Sequence, residues 1–454
     1  MAMPQPQFAP APGPRAGLLG GNFWQFRRDP INFLQTLGRE YGDVSRFRVG
    51  PQQAYFVNHP DLVKDVLVTS HAKFVKGRAL QRAKRLMGEG LLTSEHEFHL
   101  RQRRLAQPAF HRQRLMNYGA MMVEASLRAR ERWQDGAEVD AAREMMRLTL
   151  DIVGRTLFSA DVTGEAEEVG AAMTTLIEMF DLLLMPFSEL LEKIPLGPTR
   201  RFNQARARLD AMIYRMIDER RRGGEDKGDL LSMLLLAQDE EGDGGGMSDE
   251  QVRDEALTIF LAGHETTANA LTFAWLALAQ NPEVEGKLHA ELDEVLAGRA
   301  PTFEDFPRLR YAEMVMSEVM RLYPPAWAVG RLSIADHELG GYHIPKGSLI
   351  LASQFVAHRD PRFWPDAEQF KPERWLPENK EKMTPYAYFP FGGGIRRCIG
   401  EGFAWLESVL LLATLAQQWR LRVRPGYRVS LQPRITLRPK DGLPVILERR
   451  AGRS

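Results

Sequence analysis

The sequence predicts a mainly α protein of the α+β class, with long helices in its middle and short strands toward both ends. Helical patterns dominate from about residue 97 to 300. Segments rich in β-branched and aromatic residues lie before them, at 44–57, and after Pro325. Because helical and strand patterns are segregated, the chain lacks the alternation that builds a parallel βαβ sheet.

The N-terminal third begins with a proline-rich arm, residues 1–20, followed by a predicted single domain, residues 21–454. The arm has neither the charged region nor the apolar region of a signal peptide. Two strand-like runs within 44–57, V-S-R-F-R-V and Q-A-Y-F-V, are separated by Gly50 and Pro51. This arrangement predicts a hairpin that turns at the Gly-Pro pair.

Proline residues and a glycine-rich stretch divide the helical region. We expect interruptions at Pro186 and at 195–198, and a loop in the polar stretch D-E-E-G-D-G-G-G at 239–246. Ser248 and Gln251 have the spacing of a capping box and predict the start of the next helix.

Composition excludes several classes of function. The chain has 60 Lys and Arg against 59 Asp and Glu, so it lacks the basic excess that holds nucleic acid. No run approaches the roughly 20 apolar residues that cross a bilayer. A single cysteine excludes an internal disulfide and any multi-cysteine zinc or iron–sulfur site. We therefore expect a cytoplasmic monomer without a transmembrane anchor.

The single cysteine, Cys398, lies in the string F-G-G-G-I-R-R-C-I-G. A lone cysteine is most often an inert buried thiol, and it can also be a nucleophile or a sole axial ligand. Here the glycines allow the backbone to approach a flat group closely. Arg396, two residues earlier, favours thiolate over thiol. The surroundings therefore favour a ligand or a nucleophile.

The helix that begins near Ser248 carries the string F-L-A-G-H-E-T-T-A-N. Five positions share one face: Thr258, Leu261, Ala262, Glu265 and Thr266. An acid and an alcohol on such a face can relay protons, although an ordinary core helix with a hydrated kink is the alternative. A zinc-protease motif is excluded, because it needs histidine where Ala268 stands.

One further pair lies at helical spacing. Glu318 and Arg321 are three residues apart in S-E-V-M-R-L-Y-P-P, so their side chains can meet. Taken alone, this pattern is typical of a solvated surface ion pair.

Taken together, these motifs resemble the cytochrome P-450 superfamily of haem-thiolate monooxygenases. The pattern Phe-x-x-Gly-x-Arg-x-Cys-x-Gly resembles its haem-binding loop, A-G-H-E-T-T its oxygen-activating motif, and Glu-x-x-Arg with P-E-R-W its charge triad. The resemblance runs from about Phe23 to the end. It implies the cytochrome P-450 fold, helix-rich with small β-sheets, with haem b buried between the oxygen-activating helix and the cysteine loop, and O2 as co-substrate.

The resemblance also implies roles for individual residues. Cys398 would be the axial iron ligand, Thr266 the hydrogen-bonding alcohol and Glu265 the proton relay. The other cofactor contacts would be His99, Arg103, Ala262, Gly263, Arg331, Phe391, Gly394, Arg396 and Gly400. Within that set, His99 and the three arginines are candidates for the propionates, whereas Ala262 and Gly263 leave room for O2. Glu318, Arg321 and Arg374 would form a structural triad.

The substrate pocket is implied in the same way, by Leu261, Ala326, Trp327, Ala328, Val329, Ile435 and Thr436. The Met- and Leu-rich stretch 173–187 would form its roof, although such a stripe is also typical of plain core. These apolar or small residues suggest hydroxylation or epoxidation of a fatty acid, terpenoid or carotenoid-like molecule. Two strings, R-L-Y-P-P-A-W and T-L-R-P-K-D-G-L-P, resemble bacterial fatty-acid and carotenoid hydroxylases.

Electrons would come from a separate ferredoxin or flavodoxin with its NAD(P)H-dependent reductase, since no reductase domain follows the cysteine loop. Five arginines and no acid lie between His99 and Arg114, and such a basic patch can steer an acidic partner. A merely solvated arginine face is the alternative. The rival functions are a haem-thiolate peroxygenase or isomerase, a haem sensor without turnover, and a helical structural domain with a buried cysteine.

Overall fold

A computed structural model describes residues 9–17, 20–159, 172, 175, 197–224, 226–239, 241–242 and 244–450. The chain divides into two compact units. The sheet unit comprises Met1–Gln81, Ala326–Gln369 and Pro377–Cys398, and the helical unit comprises Arg82–Pro325, Phe370–Leu376 and Ile399–Ser454. The prediction of one domain over residues 21–454 stays a prediction. The expected roof of the pocket, 173–187, lies outside the described residues apart from Thr175.

The described strands are short, and we number them in chain order. They are β1 Val44–Val49, β2 Gln52–Val57, β3 Phe74–Lys76, β4 Glu138–Asp140, β5 Val329–Ser333, β6 His337–Leu339, β7 Tyr342–Ile344, β8 Leu349–Ala352, β9 Trp419–Val423, β10 Leu431–Pro433, β11 Leu437–Pro439 and β12 Pro444–Arg449.

The sheet unit is built on a five-stranded sheet in the order β1-β2-β8-β5-β3. Only the β2–β8 pairing is parallel. The predicted hairpin is confirmed: β1 and β2 pair from Val44 with Val57 to Val49 with Gln52, and Gly50 turns at φ 62°. β2 is buried over its last four residues, which places Phe56 in the core.

The helices of the sheet unit are short, and those of the helical unit are mostly long. The first set is Phe23–Arg28, Pro30–Tyr41, Pro60–Lys64, Gln354–Ala357 and Pro377–Lys380, with a π-helical turn at Asp65–Thr69. The second is His96–Ala106, Arg112–Glu131, Ala141–Phe158, Gly197–Gly223, Leu230–Leu236, Asp249–Gln280, Pro282–Leu296, Arg310–Leu322 and Glu401–Ala416. Helix Arg78–Met87 contains the boundary between the two units.

Helix Asp249–Gln280, with 32 residues, is called the long helix below. The capping box at its start is confirmed: the Ser248 hydroxyl accepts from the Gln251 amide, and the Gln251 side chain accepts from the Ser248 amide. Two acids in its first turn suit the positive end of the helix dipole. It ends at Asn281, beside a proline that opens the next helix.

Two smaller sheets belong to the helical unit. β12 pairs with β4 and β9, and β10 pairs with β11 in an antiparallel hairpin. A helix starts at Gly197, within the expected break at 195–198, and Pro198 is tolerated in its first turn. Residues 195–196 and the expected break at Pro186 lie outside the described residues. The expected 239–246 loop has no helix or strand at its described residues. No helix of the described chain has both the length and the apolar character to span a membrane.

Candidate functional site

The cysteine loop lies in the sheet unit. A tight turn, Gly394–Arg396, brings the chain round, and the Cys398 amide donates to the Phe391 carbonyl oxygen at 3.0 Å. The Cys398 side chain is exposed rather than packed in the core. The inert buried thiol, which is the ordinary expectation for a lone cysteine, is therefore absent at this position.

Gly394 shows why this loop needs glycine. Its φ is 63°, a left-handed conformation that L side chains rarely adopt. A Cβ at this position would lie 2.2 Å from the carbonyl oxygen of Leu67, in the π-helical turn Asp65–Thr69. The loop backbone is therefore pressed against that turn. This packing fixes the backbone four residues before Cys398.

The four predicted propionate cations are divided between the units. In the sheet unit, Arg331 is buried on β5, where its Nη1 donates to the Gly330 carbonyl oxygen at 3.1 Å, and Arg396 is half-buried in the cysteine loop. In the helical unit, Arg103 is half-buried and His99 is buried, one turn apart on helix His96–Ala106. The Nδ1 of His99 lies 3.3 Å from the Ser94 hydroxyl.

The long helix is buried along most of its length but has a window in its middle. Ala262 is exposed, and Leu261, Gly263 and Thr266 are half-buried, whereas the residues on either side are buried. A Cβ at Gly263 would meet only Val153, at an ordinary 3.5 Å. The window therefore offers an apolar helix surface with a single hydroxyl, Thr266, at its edge.

The Thr266 hydroxyl donates to the carbonyl oxygen of Ala262, one turn earlier, at 2.7 Å. Its proton is thereby assigned, and its oxygen can accept a hydrogen bond from a group in the window. The Thr149 hydroxyl donates to the carbonyl oxygen of His264 at 3.0 Å. The backbone carbonyl oxygens of Ala262 and His264, in the same helical turn, thus each accept a hydrogen bond from a threonine hydroxyl.

His264, between the window and the acid, has a structural partner. Its Nε2 lies 3.1 Å from the carbonyl oxygen of Met146, so Nε2 carries the proton and donates. Burial lowers the pKa of His264 to about 4. The imidazole is therefore neutral near pH 7, and it joins the long helix to helix Ala141–Phe158.

Glu265 is buried and is bound by the C-terminal hairpin. The Thr436 hydroxyl donates to Glu265 Oε1 at 2.7 Å, and Arg438 Nη1 lies 3.8 Å from the same oxygen. Burial raises the pKa of Glu265 above its usual range, while the Thr436 hydrogen bond and the Arg438 charge oppose that rise. Burial and the two polar partners therefore act on the acidity of Glu265 in opposite directions.

The structure brings the three triad residues together in the helical unit. Arg321 donates through Nε and Nη2 to the two oxygens of Glu318, both at 2.8 Å, and Arg374 Nε donates to Oε1 at 3.2 Å. The Lys371 amide and the Trp375 indole also donate to this carboxylate, at 2.9 and 3.0 Å. Glu318 and Arg321 are fully buried, so this is not a solvated surface pair.

The residues predicted for the pocket have varied surroundings. In the sheet unit, Ala326 is exposed, Ala328 and Val329 are half-buried, and Trp327 is buried, with its carbonyl accepting from the Ser353 hydroxyl at 2.8 Å. In the helical unit, Leu261 lies in the window, Ile435 is exposed, and Thr436 is buried against Glu265. Among the described residues, the shortest hydrogen bond of the Thr436 side chain is thus the one to Glu265.

Three arginines of the predicted basic patch are paired with acids from other segments, and the steering of an acidic partner by this patch stays a prediction. Arg104 binds Asp239 through two hydrogen bonds of 2.9 and 2.8 Å, and Arg101 lies 3.7 Å from the same carboxylate. Arg114 pairs with Asp226 at 3.1 Å. The acids come from loops more than 100 residues along the chain, which local charge counting does not reveal. Substitution of Arg104 would therefore break an ion pair as well as change the surface charge.

Several residues that complete these arrangements were not singled out from the sequence. They are Asn269, Arg438, Lys371, Trp375 and Asp239. Two local signals were available: Asn269 lies one turn after Glu265 on the long helix, and Lys371 and Trp375 lie within three residues of Arg374. Arg438 and Asp239 join their partners from distant segments.

Comparison with known proteins identifies one matching family model and several similar relatives. The family model described as "Cytochrome P450" matches residues 10–443. The chain is 43% identical over 421 residues to "Cyclooctatin synthase" of Streptomyces melanosporofaciens, covering 92% of this chain and 91% of the relative. It is 40% identical to "Cyclooctat-9-en-7-ol 5-monooxygenase" of the same organism, covering 92% and 90%.

A third relative, "Pentalenene oxygenase" of Streptomyces avermitilis, is 38% identical over 427 residues, covering 93% of this chain and 94% of the relative. The resemblance recognised in the motifs and the helix-rich α+β fold are both confirmed. The family consists of haem-thiolate enzymes that use O2, and its monooxygenases take electrons from redox partners. The chain belongs to the cytochrome P450 family and is one of its haem-thiolate monooxygenases.

Proposed function

We propose that this chain hydroxylates or epoxidises a cyclic terpenoid, with haem b ligated by Cys398. The observation that carries the assignment is the cysteine loop, in which an exposed thiol follows a glycine turn whose backbone leaves no space for a Cβ. The mid-helix window beside Thr266 also fits a flat cofactor with a small ligand. When bound, the haem supplies the iron centre at which O2 is activated, made electron-rich by a thiolate ligand.

We assign the remaining roles to groups that can hold charge or protons. Arg331, Arg396, Arg103 and His99 offer donors for the two propionates. Ala262 and Gly263 keep the window free of bulk. Thr266 Oγ1 accepts a hydrogen bond, because its proton is already donated to the Ala262 carbonyl oxygen. Glu265 holds the proton to be delivered, since its burial favours the neutral acid.

A terpenoid is one of the three hydrophobic substrate classes expected from the sequence, and the relatives favour it over the other two. The relatives' names refer to cyclooctat-9-en-7-ol and to pentalenene, and these relatives are terpenoid-modifying enzymes. The apolar surface of the window suits such a ligand, because hydrocarbon binding gains free energy chiefly from burial. Electrons would come from a ferredoxin or flavodoxin with its reductase, and the cytoplasmic location stays a prediction.

Turnover with defined electron donors tests this proposal. We expect cyclic terpenes to shift the haem absorption on binding, and ferredoxin, ferredoxin reductase and NADPH to yield a product carrying 18O from 18O2. Fatty acids of equal carbon number serve as the matched control and should give no shift. Turnover with peroxide alone, and none with a reductase pair, would instead identify a peroxygenase. Binding without turnover in either arm would identify a sensor.

Thr266→Ala should separate electron use from product formation. We expect the fraction of electrons recovered in product to fall by about tenfold to a hundredfold, with release of peroxide, because the hydroxyl that guides proton delivery is lost. Thr266→Ser keeps the hydroxyl and is the control, with coupling near that of the parent protein. Product, peroxide and NADPH are measured together. Full coupling in the alanine variant would remove Thr266 from the proton path.

A further inference from the structure

Three buried polar side chains of the helical unit form a continuous row. Asn269 Nδ2 donates to Thr436 Oγ1 at 3.1 Å, and Thr436 donates to Glu265 Oε1 at 2.7 Å. The exposed fractions of Asn269, Thr436 and Glu265 are 1%, 5% and 4%. Buried polar groups need hydrogen-bond partners within the protein, so these three side chains are held by the hydrogen bonds that they make to one another.

The donors in the row point in one direction. Thr436 accepts the amide proton of Asn269, so its own single proton is free to be donated to Glu265. Oε1 of Glu265 is therefore an acceptor, and an acid proton on Glu265 belongs on Oε2. In the part of the chain that the structure describes, no hydrogen bond is made by Oε2.

One charge acts on this acid among the described residues. Arg438, on β11, reaches within 3.8 Å of Oε1 and is held by Gln432, which accepts from its Nε at 3.1 Å. Both the Arg438 charge and the Thr436 hydrogen bond favour the carboxylate, whereas burial favours the neutral acid. The hairpin β10–β11 therefore fixes the position of Glu265 and opposes part of the effect of burial on its acidity.

We propose that Thr436, supported by Asn269, is a positioning residue for Glu265: it fixes Oε1 as an acceptor and leaves Oε2 as the oxygen that carries and releases the proton. This inference rests on the proposed role of Glu265 as a proton relay. It gives Thr436 a different role from the substrate contact expected from the sequence. The geometry also makes the hairpin, rather than the long helix alone, part of the proton-delivery apparatus.

Thr436→Val tests the proposal, because it keeps the shape of the side chain and removes the hydroxyl. We expect the coupled fraction to fall by about tenfold, less than the roughly 10²–10⁴-fold that loss of a general acid or base costs, because Glu265 itself is kept. Loss of the hydrogen bond should raise the pKa of Glu265 further, so the alkaline limb of the pH–coupling profile should move to higher pH. Thr436→Ser should restore both properties. Substrate affinity, measured by the spectral shift, should stay unchanged.

A weaker substrate affinity in Thr436→Val, with coupling and pH profile unchanged, would overturn the proposal and identify a substrate contact. Asn269→Leu is the second variant, should the valine protein fold poorly: it removes the donor to Thr436, and we expect a smaller loss of coupling in the same direction. Unchanged coupling in a folded Asn269→Leu protein would remove Asn269 from the row.

Two further arms separate this proposal from the proposed function. No oxygenated product from the parent protein would refute the proposed function itself, and full coupling in Glu265→Gln would refute the relay role. Uncoupled Glu265→Gln together with fully coupled Thr436→Val would refute only the positioning role. The carbon monoxide spectrum of each variant reports whether the haem environment is intact.

Discussion

Cys398→Ser should abolish the red-shifted Soret band that the reduced carbon monoxide complex of a haem-thiolate protein shows, and turnover should fall to background. The alcohol of serine ionises far less readily than a thiol, so it cannot replace the electron-donating thiolate. The exposed position of the sulfur and the amide that fixes its backbone to Phe391 leave the side chain available to iron. The spectrum of the reduced, carbon monoxide-treated protein is the measurement.

Two comparison variants make this result specific. Cys398→His supplies a neutral nitrogen ligand, so we expect haem to be retained with the band at its unshifted position. Ile395→Ala changes an exposed side chain of the same loop and leaves the cysteine, so its spectrum should match that of the parent protein. A red-shifted band in Cys398→Ser would show that the ligand lies elsewhere.

Local patterns in the sequence identified the parts of the site that depend on neighbours along the chain. The capping box of Ser248 and Gln251 and the hairpin turn at Gly50 need residues only a few positions apart. Glu318 and Arg321 meet because three residues make nearly one helical turn. Membership of the haem-thiolate monooxygenase family could likewise be predicted, because the chemistry of that family requires particular residue types at fixed short spacings.

Contacts between distant segments were not predictable in this way. Thr436 lies 171 residues from the acid it binds, and Asp239 lies 135 residues from Arg104. No periodicity connects such positions, so the arginines appeared as an unpaired patch and Thr436 as a substrate contact. Whether a side chain is buried also depends on the whole fold. Taken alone, the Glu318–Arg321 spacing is typical of a solvated pair, and only tertiary packing makes this pair fully buried.

Because Glu318 is fully buried, we expect Glu318→Gln to be strongly destabilising. The carboxylate accepts five hydrogen bonds, two of them from Arg321 and one each from Arg374, the Lys371 amide and the Trp375 indole. Glutamine has the same shape but replaces one acceptor oxygen with a donor nitrogen. Two guanidinium charges would then lie close to a neutral group in the interior. Breaking a buried ion pair from one side costs about 3–5 kcal/mol.

Such a loss is a large part of the roughly 5–15 kcal/mol that stabilises a folded domain. We therefore expect little haem-loaded Glu318→Gln protein and a Tm lower by about 3–5 °C in what is recovered. Glu124→Gln is the matched control, since Glu124 also pairs with an arginine on its own helix but is 67% exposed. An exposed pair of this kind contributes about 0–1 kcal/mol. Equal haem content and equal Tm in the two variants would show that the buried carboxylate does not hold the fold together.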